Sequence, residues 1–253
     1  MLGMLVISVC FSTVILGRNL CLQEKEQMEF ESLREKVIEE REKYQRQQME
    51  TEPKWENLKG SMNEEQTILP EYQELAKWNP DFAGWIYIKG TYIDYPVMQS
   101  FWEPEYYLHR NFEGEDSYAG VPFVGSGDMK NGEGDISLYG HNMRNGTMFA
   151  ELLRYQNWDY YETHPFVQLD TLREHRVYEV VTVFYANEDD WKERESLIFS
   201  FFNGEKLDFI EKVKGAGLYD TGVMPKWDAS LLLLITCSYH EKNERFIVVS
   251  QLL

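Results

Sequence analysis

Cysteine is scarce in this chain. The 253 residues include three, Cys10, Cys21 and Cys237, and the first two sit within one apolar N-terminal segment. An odd number distributed in this way is no disulfide framework. No CxxC pair or Cys/His cluster has zinc spacing, which excludes a structural zinc site. Positive charge is also short. Lys and Arg number 25 against 43 Asp and Glu, for a net charge of −18. Such a surface repels phosphate backbones, so nucleic acid is not an expected partner. It favours solubility and, more narrowly, attracts cationic or amine partners. Several catalytic signatures are missing. There is no GxSxG elbow, P-loop, GxGxxG after a strand or HExxH. "GSGDMKNGEGD" at 125–135 lacks calcium-loop spacing and reads as a loop. No metal or organic cofactor is expected.

Charge is missing altogether from residues 1–17, "MLGMLVISVCFSTVILG", with Arg18 following. That length approaches the roughly 20 residues that span a bilayer. No A-x-A-like cleavage site stands out, so the segment reads as a retained membrane anchor over residues 1–22. Residues 23–50 hold no Gly or Pro and are rich in Glu, Lys, Arg and Gln, which predicts a helix. Phe30, Leu33 and Val37 share one face, with Tyr44 a heptad beyond. The helix is expected to lean on the folded domain or act as a stalk, with a coiled-coil dimer as the alternative. Residues 51–69 read as a polar connection, so 23–69 forms a helical and polar stalk. A short helix is predicted from Pro70 to the "NPD" at 79–81.

Residues 70–253 change in texture. Aromatic and β-branched residues cluster in "GWIYIKGTYIDYPVMQ", and further strands are predicted at 121–125, 135–139, 166–170, 176–186, 231–237 and 246–252. Helical patches fall at 147–155 and 204–214, the second with Asn203 as N-cap and Gly215 as C-cap. Many short strands with few helices predict a closed β-barrel with helices on its rim.

Two stretches have the composition of a reactive centre. "LLLLITC" reads as a strand buried on both faces that ends at Cys237. Read alone, that cysteine is either a small buried hydrophobe or a nucleophile. A hairpin through 238–244 brings Arg245 to the same end of the sheet. An arginine there lowers a thiol pKa and stabilises an oxyanion; the alternative is a surface arginine paired with Glu241 or Glu244. Of five histidines, His164 and His175 lie in polar stretches, His109 reads as structural, and His240 points away from Cys237 in an extended strand. His141 differs. It follows the strand "ISLY" and sits in "YGHNMRNGTMF", where Gly140, Asn142, Asn145 and Gly146 supply tight-turn chemistry. A histidine at a strand end in a rigid turn is a candidate acid or base.

These stretches together resemble one family. "NPDFAGWIYIKGTYIDYPVMQ", "YYLHRNFEGEDSYAG", "LYGHNMRNGTMFAEL", "GLYDTG" and "ITCSYHEKNERFIVV" occur in the order and spacing of class B sortases, Gram-positive surface transpeptidases. The resemblance spans residues 70–253 and implies an eight-stranded sortase-type β-barrel. It also implies N-terminal helices and a helix in a long insertion between strands 6 and 7, here residues 187–229. By resemblance, Cys237, His141 and Arg245 are the catalytic residues, and Ile235, Thr236 and Tyr107 fall in substrate-binding motifs. The implied substrates are surface proteins or pilins with a C-terminal sorting signal. The implied acceptor is an amine of a peptidoglycan precursor or another subunit. The implied location is the cell membrane, single-pass, with the catalytic domain outside. A thiol hydrolase on the same fold and an anchored binding module with an inert Cys237 are the alternatives. Two departures stand out. Ile235 occupies a position where the family often has serine. Glu103, Pro104 and Glu105 stand where it often has an Asp-Asn pair.

Overall fold

A computed structural model describes residues 2–50, 68–131, 133–187, 206–226 and 228–253. Most of the polar connection at 51–69, the first part of the 187–229 insertion and the expected cap Asn203 lie outside the described residues. So do the side chains of the charge-free N-terminal run. Among the described residues no helix is long and apolar enough to cross a membrane.

Helix α1 runs from Leu2 to Glu50. Its thin stripe is sufficient because the barrel wall completes it: Phe30, Leu33 and Val37 are all buried. Phe30 meets the Tyr95 ring edge-on with centroids 5.2 Å apart. Arg34 pairs with Asp94 at 2.7 Å, and Arg41 with Glu71 at 3.0 Å. The helix therefore leans on the domain. Tyr44, a heptad beyond the contact, is exposed. Pro70 opens a single 3-10 turn to Tyr72, which passes into α2 (Gln73–Trp78).

Eight strands follow: β1 (Phe82–Tyr87), β2 (Asp94–Met98), β3 (Phe123–Asp128), β4 (Glu133–Tyr139), β5 (Phe166–Thr171), β6 (Val177–Asn187), β7 (Leu231–Cys237) and β8 (Glu244–Leu252). They close into a barrel in the order β1-β2-β3-β4-β7-β8-β6-β5. Two neighbours run parallel, β2 with β3 and β4 with β7. Closure removes every sheet edge. The expected eight-stranded barrel with helices is thus the observed fold. The reading of 125–135 as a loop needs correction. Gly125–Asp128 and Glu133–Asp135 extend β3 and β4 into a hairpin, paired at Asp128↔Glu133. The glycines hid this, since they lower strand propensity without preventing a bulged ladder. The helical patch at 147–155 is a 3-10 helix, Ala150–Gln156, and a further helix, α3 (Trp158–Thr163), follows it.

β7 explains its own apolar run. Leu232 and Leu234 point into the main core with Phe246 and Val248. Leu231, Leu233 and Ile235 point the other way, into a second cluster with Phe184, Ile247 and Val249. That outer face is covered by α4 (Lys206–Gly215) through Ile210 and Val213. A strand with core on both faces needs apolar residues at every position. The insertion helix is what makes the outer face a core.

Candidate active site

β7 and β8 form an antiparallel hairpin whose register sets Cys237 directly opposite Arg245. Residues opposite one another place their side chains on the same face. Arg245 Nη1 donates to Cys237 Sγ at 3.3 Å. The hairpin is pinned just beyond this pair. The Ser238 amide donates to the Glu244 carbonyl at 3.1 Å, and the Ser238 hydroxyl to the Glu244 carboxylate. Tyr239 and Asn243 take left-handed backbone, with φ of 58° and 60°.

The parallel pairing of β4 with β7 brings the histidine turn alongside. Tyr139 lies opposite Ile235, so Gly140 and His141 continue beside Thr236 and Cys237. Three hydrogen bonds hold the two chains together. The Gly140 amide donates to the Ile235 carbonyl at 3.2 Å. The Thr236 hydroxyl donates to the Gly140 carbonyl at 2.7 Å, and the Asn142 side-chain amide to the Cys237 carbonyl at 2.8 Å. Gly140 is required by packing, since a Cβ there would meet the Phe149 ring at 2.7 Å. The turn closes when the Phe149 amide donates to the His141 carbonyl at 2.9 Å. Met148 sits at φ 55°, and its amide donates to the buried Tyr95 hydroxyl at 3.1 Å. The core thus holds one strained residue of the turn in place.

His141 Nε2 lies 2.9 Å from the Leu108 carbonyl oxygen. A carbonyl oxygen only accepts, so Nε2 carries a proton and Nδ1 is the nitrogen left to exchange one. The His109 ring lies over His141 with centroids 5.3 Å apart and planes tilted by 30°. Burial pushes the His141 pKa below the ordinary histidine value. The Leu108 carbonyl opposes this, and His109 and Arg245 add to the lowering.

Cys237, His141 and Arg245 all line one cleft of about 280 Å³. Leu108, Tyr139 and Ile235 form apolar wall, and Pro104, Glu105 and Thr236 also border it. The sequence-expected substrate residues divide here. Ile235 and Thr236 reach the cleft, but the Thr236 hydroxyl is committed to Gly140. Tyr107 is buried outside the cleft lining. Its hydroxyl accepts from Asn79 at 2.9 Å and donates to Asp81 at 3.2 Å. Its neighbour Leu108 is the one that contributes, through its carbonyl to His141. His240 is exposed and is not part of the cleft lining. His175, expected on the surface, does more than sit there: it pairs with Asp170 and Glu71. Sequence reasoning missed Leu108 because a backbone carbonyl has no side-chain signature. The sequence reads His109 as structural, whereas in the fold it is exposed and its ring faces His141. The adjacency of two histidines in "YYLH" and "YGHN" is visible only once the fold brings them together. Among the described residues, no group of three or more His, Cys, Asp or Glu is arranged to hold a metal ion.

The sortase domain model matches residues 86–253. Sortase B of Listeria monocytogenes is 31% identical over 194 residues, covering 73% of this chain and 74% of that protein. A crystal structure of a mutant form of Clostridium perfringens sortase B superposes with a TM-score of 0.71 at 26% identity. It covers 89% of this chain and 97% of that one. A second structure of the C. perfringens enzyme is 32% identical with a TM-score of 0.64, over 71% and 98% of the two chains. A closed barrel with a thiol at a strand end is the scaffold of a cysteine transpeptidase, and the chain belongs to the sortase family. Within it, the chain is a class B sortase.

Proposed function

We propose that this chain is a membrane-anchored transpeptidase whose catalytic domain works outside the cell. It cleaves a C-terminal sorting signal of the NPxT or LPxTG-like kind after threonine. It passes the acyl group to an amine of the cell wall or of a pilin. The observation that carries the reading is the hydrogen bond from Arg245 to Cys237 at the mouth of a cleft that His141 also walls. The anchor rests on the charge-free run at residues 1–17.

The Cys237 thiolate attacks the threonine carbonyl carbon. Arg245 Nη1, 3.3 Å from the sulfur, sits where a guanidinium donates to the developing oxyanion. The tetrahedral adduct collapses as the C–N bond breaks. The leaving amine takes a proton from Nδ1 of the His141 imidazolium, leaving a thioester on sulfur. His141, now neutral, takes a proton from the incoming amine as the new amide forms. Burial holds this histidine below its ordinary pKa. At neutral pH the base form is therefore abundant and the acid form scarce. Acylation, which needs the imidazolium, is the step that loses most from this.

The test is mass spectrometry of the full chain incubated with sorting-signal peptides, with and without an added amine. An acyl adduct on Cys237 and an amide product are expected. Cleavage by Cys237→Ala would overturn the nucleophile. Carboxylate product alone, at saturating amine, would make the protein a thiol peptidase instead.

A further inference from the structure

His141 borders two cavities. The peptide cleft is the smaller. The larger, of about 700 Å³, opens between the middle of α1, at Leu22–Glu26, and the histidine turn, within the range of about 300–1,000 Å³ typical of ligand sites. Its walls include Leu22 and Glu26 from α1, Arg144 from the turn, and Tyr118, His109 and Tyr239. The peptide mechanism uses none of these six side chains.

Glu26 is aimed rather than loose. Its Oε1 accepts from the Ser117 hydroxyl at 2.7 Å and from the Tyr118 amide at 3.1 Å. Neither bond uses Oε2. Arg144 supplies a cation on the same wall set, from an exposed position in the turn. Tyr239 connects this space to the nucleophile. It stands two residues beyond Cys237 in left-handed backbone. Burial raises its phenol pKa, and Cys237 and Tyr118 raise it further, so its ring lies within electrostatic reach of both.

The acyl-enzyme poses a geometric problem that this arrangement solves. Once the thioester has formed, the acyl half of the donor peptide still fills the small cleft. A second reactant needs another approach to the same carbonyl, and it must meet a base on the way. His141 is the wall common to both spaces.

We infer that the larger cavity is the acceptor site and that it takes a peptide bearing both a primary amine and a free carboxylate, with Glu26 holding the ammonium and Arg144 the carboxylate. The inference rests on the transpeptidase reading above and adds the acceptor's chemistry and the role of α1. The bound ammonium releases one proton to water. The amine nitrogen then forms a C–N bond to the thioester carbonyl carbon as the C–S bond breaks. Cys237 leaves as thiolate, and the second amine proton passes to neutral His141. Glu26 and Arg144 bind the acceptor; His141 remains the base.

The experiment uses the full chain, one donor peptide and two acceptors: the dipeptide alanyl-lysine with a free carboxylate, and hydroxylamine, which is too small to need either charge. Glu26→Gln keeps the bonds to Ser117 and Tyr118 but loses the charge; Arg144→Gln loses the other. We expect the kcat/KM for dipeptide relative to hydroxylamine to fall by tenfold or more in each variant. Amidating the dipeptide's carboxylate is expected to lower the same ratio in the native chain and to erase the further effect of Arg144→Gln. A ratio within twofold of the native value in either variant overturns the acceptor site while leaving the transpeptidase intact. Failure of the native chain to transfer even to hydroxylamine overturns the transpeptidase reading, and the acceptor site with it.

Discussion

Arg245 donates to the sulfur of Cys237 because the β7–β8 ladder sets the two residues face to face, at an N–S distance of 3.3 Å. A lysine at this position keeps the charge but loses the planar fork of donors. Sulfur and oxyanion are then served by one point charge in place of two directed N–H groups. For Arg245→Lys we expect kcat to fall by about 10²-fold, the loss that follows removal of one oxyanion donor. Alkylation of Cys237 by iodoacetamide is expected to persist, since a cation stays beside the thiol. Steady-state turnover within threefold of the native chain would remove Arg245 from oxyanion stabilisation.

His109 provides a handle on the His141 proton. Its ring lies against His141, and its charge, like that of Arg245, disfavours the imidazolium. The largest cause of the lowered pKa is burial, which a surface substitution leaves in place. His109→Gln is therefore expected to move the His141 pKa up only part of the way toward the ordinary histidine value. The acid form then persists to higher pH, and the pH optimum of acylation shifts upward. An NMR titration of the His141 ring protons reads this directly. A pKa that stays put or falls would mean that His109 contributes no charge there.

The link between the two reactive strands is testable through Thr236. Its buried hydroxyl donates to the Gly140 carbonyl, one residue before His141. Thr236→Val keeps the shape and strands that carbonyl without its partner. Gly140 is half-buried, so leaving its carbonyl without this donor costs about 1 kcal/mol, the lower end of the range for an unsatisfied acceptor. We expect a loss of that size in urea unfolding, together with reduced turnover as the histidine turn loosens. Unchanged stability would show that another donor reaches Gly140.

The barrel was legible because strand texture, turn residues and strand-end placement all pointed the same way. "LLLLITC" announced a strand with two buried faces, and α4 is the element that covers the second face. The hairpin at 125–135 was not legible. Gly125 and Gly127 weaken strand propensity, yet Gly125 lies where the Tyr139 ring packs, 2.3 Å from where a Cβ would stand. Of the candidate site, the side chains were readable and the backbone was not. Type and strand-end position make Cys237, His141 and Arg245 candidates, the family resemblance gives them their expected roles, and the fold brings all three to one cleft. The Leu108 carbonyl that fixes the His141 proton leaves no trace in composition. Nor does the parallel pairing of β4 with β7 that aligns Gly140 with Thr236. The roles of Asn142 and His109 depend on contacts between segments 95 and 32 residues apart, which local pattern does not encode.

Helix α1 gives a stability expectation. Leu33 is almost wholly buried against the barrel, between Phe30 and Val37. Leu33→Ala removes a side chain from a closely packed seam, a change that typically costs about 2–5 kcal/mol. If the helix folds cooperatively with the barrel, urea unfolding stays a single transition and its midpoint falls. A separate early transition, with the barrel midpoint unmoved, would make α1 an independent unit. The stripe is consumed within one chain, so the protein is expected to sediment as a monomer rather than a coiled-coil dimer.

His175 makes the docking of that helix sensitive to pH. It lies on the opposite bank of the Arg41 contact, with Nδ1 2.9 Å from Asp170 Oδ2 and Nε2 3.4 Å from Glu71 Oε1. Arg41 meets the same two carboxylates at 3.5 Å and 3.0 Å, and the Tyr72 hydroxyl donates to Asp170 at 2.6 Å. The hydrogen bond to Asp170 raises the His175 pKa, burial opposes it, and the charges of Asp170 and Glu71 reinforce the rise. A raised folded pKa means that the native state holds this proton more tightly than the unfolded chain. The stabilisation is therefore complete below the ordinary value of 6.5 and is lost as pH rises through the higher native value. His175→Gln removes it at every pH. The Tm difference between native and variant proteins should be largest near about pH 5.5 and shrink by about pH 8.5. A difference that grows with pH would reverse the sign of this coupling, and a constant one would show that the proton on His175 does not hold the two carboxylates together.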